Sequence, residues 1–251
     1  MTAWQNQPII RVRKGRYLFT FFINISAGVG GKCSMEGKRL TSYAMEELEC
    51  PKCGHKHSLK KYKVINVTEK AKLKEEIMKN RLYQFSCEEC EYMAPLTYDS
   101  LYVDSQRNIM IYMAPVMNAE IKAEIAELER EKGIDKRLVD NINDLKEKIM
   151  IADNHLDDRV IEIIKIMYID QMKKEMEDDT LLNILFDYNS YCFLVFFQKK
   201  GIGKIPLTRE FYRQVEDKYK DAIKEHSMDS FMKVDMEWAG KILFKNHNKF
   251  N

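Results

Sequence analysis

Two cysteine pairs constrain this sequence more than any other feature. Residues 50–54 read Cys-Pro-Lys-Cys-Gly and residues 87–90 read Cys-Glu-Glu-Cys. At this spacing one loop presents two thiolates to the same metal ion, and two such loops complete a tetrahedral shell of four sulfurs. A closed shell has no open position for water or substrate, so no catalytic residue is predicted here. The pattern predicts one structural Zn²⁺ with four ligands: Cys50, Cys53, Cys87 and Cys90.

A redox motif is the alternative interpretation of a Cys-x-x-Cys pair. In thioredoxin-like proteins one pair stands at the start of a helix that follows a strand. This chain has two pairs, and the first is followed by residues 54–57, Gly-His-Lys-His, which carry no helical pattern. The zinc interpretation is therefore preferred. With four thiols available, His55 and His57 are not needed as ligands, and either can instead donate a hydrogen bond to the ligand shell.

Composition bounds the class of protein. The chain has 251 residues, of which 45% are hydrophobic and 32% charged, as in globular proteins. A chain of this length and apolar content does not need disulfide staples, so its six cysteines favour a reducing, cytoplasmic compartment. No apolar run is long enough to span a membrane, and no membrane partner is predicted.

Charge is distributed unevenly along the chain. Residues 1–44 hold seven basic and one acidic side chains, whereas the formal net charge of the whole chain is only +2. Nucleic-acid-binding proteins usually carry a basic surface that displaces counterions from phosphates. Beyond residue 44 the sequence has no basic excess of this kind.

Residues 1–44 form an atypical leader. A basic cluster at 11–16, then mostly apolar residues at 17–27, superficially match a secretory signal. Secretion would, however, move a thiol-rich zinc module into an oxidising space. We expect the leader to be an upstream extension before a start at Met35 or Met45; a docking arm and a signal peptide are the alternatives.

Hydrophobic patterning predicts a small sheet with one inserted helix over residues 45–116. Alternating, β-branched residues are typical of strands, and Thr68 followed by Glu69 suits a helix start. The predicted elements are strands at 62–67, 82–85, 96–103 and 109–113 and a helix at 69–79. Such a module has a thin core, so the metal is expected to contribute much of its folding free energy.

Residues 117–251 predict a helix-rich remainder packed on the first module. The predicted elements are helices at 118–133, 135–152, 156–176 and 208–226, strands at 181–186 and 191–197, and a closing segment at 231–243. Residues 201–204, Gly-Ile-Gly-Lys, lack the full phosphate-loop spacing and are interpreted as a hairpin turn or loop. The predicted fold is α+β: a zinc-ribbon-like antiparallel sheet with a short inserted helix, followed by a helical segment and a C-terminal hairpin plus helix.

Several of these segments together resemble one protein family. The chain is similar to the CpXC family of bacterial and archaeal proteins at residues 50–54, 65–68, 82–90, 101–104, 109–115, 144–149 and 156–162. The resemblance covers about residues 46–175, and the paired cysteines are its most specific part. Glu91 departs from the glycine that the second motif usually carries. The resemblance implies a zinc-binding domain and leaves the activity open.

Two further groups of residues support alternative functions. A basic run around an aromatic residue suits phosphate contact and base stacking, although lysines also protect exposed strand edges. Its members are Lys56, Lys60, Lys61, Tyr62 and Lys63. A second group offers oxygen and nitrogen ligands or an acid–base pair, although it also fits a break between two helices. Its members are Asp153, His155, Asp157 and Asp158.

The sequence therefore yields three ranked hypotheses. The first is a non-enzymatic zinc module that mediates interaction with another macromolecule, a protein. The second is a nucleic-acid-associated factor that uses residues 52–63. The third is a metal-dependent hydrolase that uses residues 153–158. No oligomeric state follows from the sequence.

Overall fold

The computed structural model describes residues 10–11, 39–173, 179–225 and 229–247. Most of the predicted leader, including its apolar run at 17–27 and Met35, lies outside these residues. The described part confirms an α+β fold.

The described elements are eleven strands and six helices, with one short 3₁₀ helix at Arg81–Tyr83. The strands are β1 (Ile10–Arg11), β2 (Ser42–Glu49), β3 (Lys56–Asn66), β4 (Gln84–Ser86), β5 (Met93–Thr97), β6 (Ser100–Asp104), β7 (Ile109–Met113), β8 (Asp135–Val139), β9 (Leu181–Asp187), β10 (Cys192–Phe197) and β11 (Gly201–Pro206). The helices are α1 (Lys72–Met78), α2 (Ala119–Leu128), α3 (Ile142–Asp153), α4 (Asp158–Lys173), α5 (Arg209–Lys224) and α6 (Met236–His247).

The main sheet has five strands in the order β2-β3-β6-β7-β8. The pairs β2/β3 and β6/β7 are antiparallel, whereas β3/β6 and β7/β8 are parallel. The sheet is therefore mixed, which corrects the predicted antiparallel arrangement. Parallel neighbours need a crossover connection. For β3 and β6 it runs from Asn66 to Ser100 and contains α1 and the second cysteine pair.

Both faces of the main sheet are covered at its centre. Every residue of β6 and β7 is buried. Tyr102 and Ile111 face a core that also contains Leu73 of α1 and Leu145 of α3. Side chains of the opposite parity, such as Tyr112, pack in a separate core with α2. Continuous burial of this kind is expected where helices cover both faces of a sheet.

The core between the main sheet, α1 and α3 also contains two of the predicted ligands, Cys50 and Cys87. Cys50 lies in the turn that connects β2 and β3. Cys87 directly follows β4, which belongs to the small sheet β1-β5-β4. The site is thus fixed by two hairpins that share one core.

A C-terminal layer packs on α4. Strands β9, β10 and β11 form an antiparallel meander, and α5 and α6 contact α4. The first half of α4, residues 158–165, is buried on all sides, as its apolar pattern predicts. None of the helices within the described residues is both long and apolar enough to cross a bilayer.

Three predicted elements are wrong. The strand predicted at 96–103 is divided between β5 and β6, which belong to different sheets. The helix predicted at 135–152 is divided into strand β8 and helix α3, separated by Asn141, whose side chain caps α3. Residues 201–204 are not a turn, since they lie in β11, which pairs along β10. The sheet also joins all three predicted segments, because β2 begins before residue 45 and β8 follows residue 117. The division into 1–44, 45–116 and 117–251 stays a prediction.

Candidate metal centre

The two cysteine loops have the same backbone geometry. In the first loop the Gly54 N–H donates to the Cys50 carbonyl at 2.9 Å, and the Cys50 N–H donates to the His55 carbonyl at 2.8 Å. In the second loop the Glu91 N–H donates to the Cys87 carbonyl at 3.0 Å, and the Cys87 N–H donates to the Tyr92 carbonyl at 2.8 Å. Each loop is therefore a closed turn that points two thiols in one direction.

A residue in the left-handed region ends each turn. Gly54 has φ of 76° and Glu91 has φ of 56°. Glycine adopts this conformation without strain, whereas a side-chain-bearing residue does not. The second loop therefore forms the same turn as the first, although it has Glu91 where the first has glycine.

The four cysteine sulfurs converge on one point. All four lie within 4.8 Å of one another, with Cys50 and Cys90 3.7 Å apart and Cys53 and Cys87 3.6 Å apart. An ion bonded to four sulfurs at about 2.3 Å in tetrahedral geometry separates them by about 3.8 Å. All four are free thiols, since a disulfide would bring two sulfurs to about 2.05 Å. The residues present therefore fit one metal ion.

The thiols hold their protons unequally. Burial opposes ionisation of Cys50, but hydrogen bonds from the backbone of Cys53 and Lys52 lower its pKa to about 7. For Cys53 a backbone hydrogen bond from His55 lowers the pKa, but burial and the three neighbouring thiols together raise it to about 12. Four thiolates this close would repel one another, which favours the protonated thiols. A bound cation offsets this repulsion and takes the place of the protons.

His57 is the aromatic neighbour of the centre. Its Nε2 lies 3.2 Å from the Cys87 sulfur. The ring packs edge-on against Phe85, which is fully buried, and against His55. His57 thus contacts a ligand sulfur, as expected for a histidine that donates a hydrogen bond to the ligand shell.

The structure divides the basic run between the two faces of the β2–β3 hairpin. Lys61 pairs with Glu46 at 2.6 Å, and Lys63 pairs with Asp99 at 2.8 Å. Lys60 is exposed on the opposite face, where its ammonium lies 4.2 Å from the centre of the Tyr43 ring. Lys56 and Tyr62 share that face by strand alternation. The five residues do not form one continuous basic surface.

The carboxylates at 153–158 are each neutralised by a different cation. Asp153 pairs with Lys74 at 2.6 Å, and Asp157 pairs with Arg159 at 2.7 Å. Asp158 accepts two hydrogen bonds of 2.8 Å from the Arg137 guanidinium.

His155 is exposed and follows the end of α3, so the segment is a break between two helices. Within the described ranges the four cysteines are the group that gathers as metal ligands, and residues 153–158 do not. The hydrolase hypothesis therefore lacks its site.

One surface feature escaped the sequence analysis. Tyr43 and Met45 on β2 are 50% and 52% exposed. They alternate with Ala44 and Glu46 along the strand, a period-two pattern that the sequence does contain. The predicted boundary at residue 44 cuts through this pattern, so the strand is not predicted from the sequence.

Comparison with known proteins agrees with this geometry. Neither the curated proteins nor the solved structures gave a match to this chain. A family model described as CpXC protein matches residues 48–165, which include all four converging cysteines and end inside α4. The match covers a little less than half of the chain, so residues 48–165 are similar to the CpXC family, in agreement with the paired thiol loops.

Proposed function

We propose that this protein is a non-enzymatic module in which one structural Zn²⁺ fixes a surface that binds another protein. The observation that carries the proposal is the convergence of four sulfurs within 4.8 Å. Zinc prefers such a tetrahedral thiolate set, and four protein ligands leave no position for a reacting water. The thiols must stay reduced to serve as ligands, which favours the cytoplasm.

The outer face of the β2–β3 hairpin is the proposed contact surface. It presents Tyr43, Met45, Lys60 and Tyr62, and the Tyr43 and Tyr62 ring centres are 5.8 Å apart. Aromatic residues and methionine are enriched in protein interfaces. A protein partner is favoured over nucleic acid because Lys61 and Lys63 are paired with carboxylates on the other face.

The metal assignment predicts that one cysteine decides both metal content and fold. Wild-type protein purified without chelator is expected to contain about one zinc per chain, whereas Cys53→Ser loses most of it because three thiolates bind far more weakly. Elemental analysis measures the zinc, and circular dichroism measures the fold. Cys192→Ser is the matched control, since Cys192 is buried in β10 away from the centre. A Cys53→Ser protein that keeps one zinc per chain contradicts the assignment.

The surface assignment predicts that binding can be lost without losing zinc. Tyr43→Ser combined with Met45→Ser removes the apolar part of the outer face, and both side chains are already half exposed, so stability should change little. Affinity capture from the native host is expected to recover a protein with the wild type and not with this variant. Leu182→Ser is the control, since Leu182 is 51% exposed on β9. Equal recovery by both surface variants would count against the hairpin face.

A further inference from the structure

We infer that His57 donates an N–H···S hydrogen bond to the metal-bound Cys87 thiolate and thereby slows loss of the metal. This inference rests on the proposed function, because it needs an ion held by the four cysteines. It assigns to His57 a positioning and charge-balancing role at that centre, without making it a ligand.

The geometry fixes the His57 ring against the sulfur. His57 is the second residue of β3, and its Nε2 lies 3.2 Å from Cys87 Sγ. Ring centres of His57 and Phe85 are 5.2 Å apart at 81°, and those of His57 and His55 are 4.8 Å apart at 63°. Phe85 immediately precedes the segment that carries Cys87 and is completely buried. The ring is therefore held from two sides and cannot turn away cheaply.

The chemistry of the pair decides which atom carries the proton. A metal-bound thiolate has lone pairs and no proton, so it can only accept. A bare Nε2 lone pair at 3.2 Å from that sulfur would be repelled, whereas Nε2–H is attracted. A His57 ring with a proton on Nε2 is therefore favoured when the metal is bound.

A donor at this place has a specific electrostatic effect. Zn²⁺ with four thiolates carries a net charge of about −2, and each N–H donor offsets part of it. Backbone N–H groups of the two loops donate to three sulfurs: those of Lys52 and Cys53 to Cys50, that of His55 to Cys53 and that of Tyr92 to Cys90. Cys87 receives a side-chain donor from β3, so this sulfur can be tuned by substitution without altering either loop.

Exposure shows why the hydrogen bond matters for metal loss. Cys87 and Cys50 are buried, whereas Cys53 is exposed and Cys90 is half-buried. A competing chelator must enter through the exposed half of the centre, and the buried half then holds the ion last. The His57 bond strengthens one of the two sulfurs of that buried half.

The test is the rate at which zinc passes to a chromogenic chelator in excess. His57→Phe keeps an aromatic ring for Phe85 and His55 but removes the donor, and it is expected to release zinc about tenfold faster than the wild type. His57→Gln restores an N–H and is expected to recover part of the difference. His55→Phe keeps an aromatic ring beside His57 and the backbone contacts of the loop, so it is the matched control and should stay within about twofold of the wild type.

Magnetic resonance gives a readout that a purely structural role would not move. In protein loaded with cadmium-113, the His57 Nε2 proton is expected to show scalar coupling to the metal across the sulfur, and nitrogen-15 shifts should report the Nε2–H tautomer. A tautomer with its proton on Nδ1, or release of zinc from His57→Phe at the wild-type rate, overturns the inference.

The outcomes separate this inference from the proposed function. If wild-type protein binds neither zinc nor cadmium, the proposed function fails first. If the wild type holds one ion and His57→Phe, His57→Gln and His55→Phe all release it at the wild-type rate, only the role of His57 fails.

Discussion

At the scale of single residues, the two cysteine loops differ in backbone strain at one equivalent position. Both turns place a residue in the left-handed region, yet one carries Gly54 and the other Glu91. A Cβ built on Gly54 meets nothing closer than 3.5 Å, so the cost of a side chain there comes from the backbone alone. Left-handed backbone costs a non-glycine residue about 1–2 kcal/mol.

The two loops therefore predict opposite responses to exchange of these residues. Gly54→Ala should lower the free energy of unfolding by about 1 kcal/mol. Glu91→Gly should raise it by about 0.5 kcal/mol, because relief of strain exceeds the added entropy of the unfolded chain. Urea unfolding at one fixed free zinc concentration measures both. Glu89→Gly, at a position without positive φ, should only destabilise, and equal shifts for Glu89→Gly and Glu91→Gly would refute the strain argument.

At the scale of elements, local patterns were sufficient wherever a segment's own side chains determine its structure. The strand predicted at 62–67 overlaps the end of β3 as far as Asn66, the helix predicted at 69–79 contains α1, and the strand predicted at 109–113 is β7. The four cysteines were also found from their spacing alone, because a metal site of this kind is encoded within two short loops.

Elements that depend on distant neighbours could not be predicted in this way. Residues 135–139 continue the helical spacing of α3, yet pairing with β7 makes them strand β8. Lys136 within β8 is completely buried, and its ammonium donates to the Asp229 carbonyl at 3.0 Å. The ammonium also donates to the Glu131 carbonyl, but the Asp229 partner lies 93 residues away and leaves no local signal in the sequence. Similarly, β11 forms by pairing along β10, where a Cβ added at Gly203 would lie 3.4 Å from the Phe197 ring.

At the scale of the whole molecule, a buried chain of alternating charges joins the layers. Arg137 binds Asp158, Lys148 binds Asp158 and Glu162 at 3.1 and 3.2 Å, and Lys165 binds Glu162 and Glu147 at 2.9 and 2.7 Å. Glu147 also accepts the Phe186 N–H of β9. All six charged residues fall inside the segment matched by the family model, and the last contact reaches beyond it.

Removing one charge from this chain should cost far more than removing an exposed one. Asp158→Asn removes the carboxylate that buried Arg137 and Lys148 share, leaving only Asp135 at 3.8 Å from Arg137 and Glu162 at 3.2 Å from Lys148. This should lower the free energy of unfolding by about 3–5 kcal/mol. Asp140→Asn is the matched control, since Asp140 is 49% exposed and pairs with Lys233 at 2.9 Å. Loss of that pair should cost less than about 1 kcal/mol. Urea unfolding at pH 7 compares the two.

Acid should reduce the difference in free energy of unfolding between the wild type and Asp158→Asn. Burial opposes ionisation of Asp158, but Arg137 and Lys148 outweigh it and hold the pKa of Asp158 well below its usual range. Since the folded pKa is lower than the unfolded value of about 3.9, the stabilisation is complete above about pH 5 and is lost as the pH falls below about 4. The difference in free energy of unfolding between the wild type and Asp158→Asn should therefore stay constant from pH 7 to about pH 5 and become smaller below about pH 4. A difference that grows below pH 4 would mean that Asp158 does not stabilise the fold as an anion.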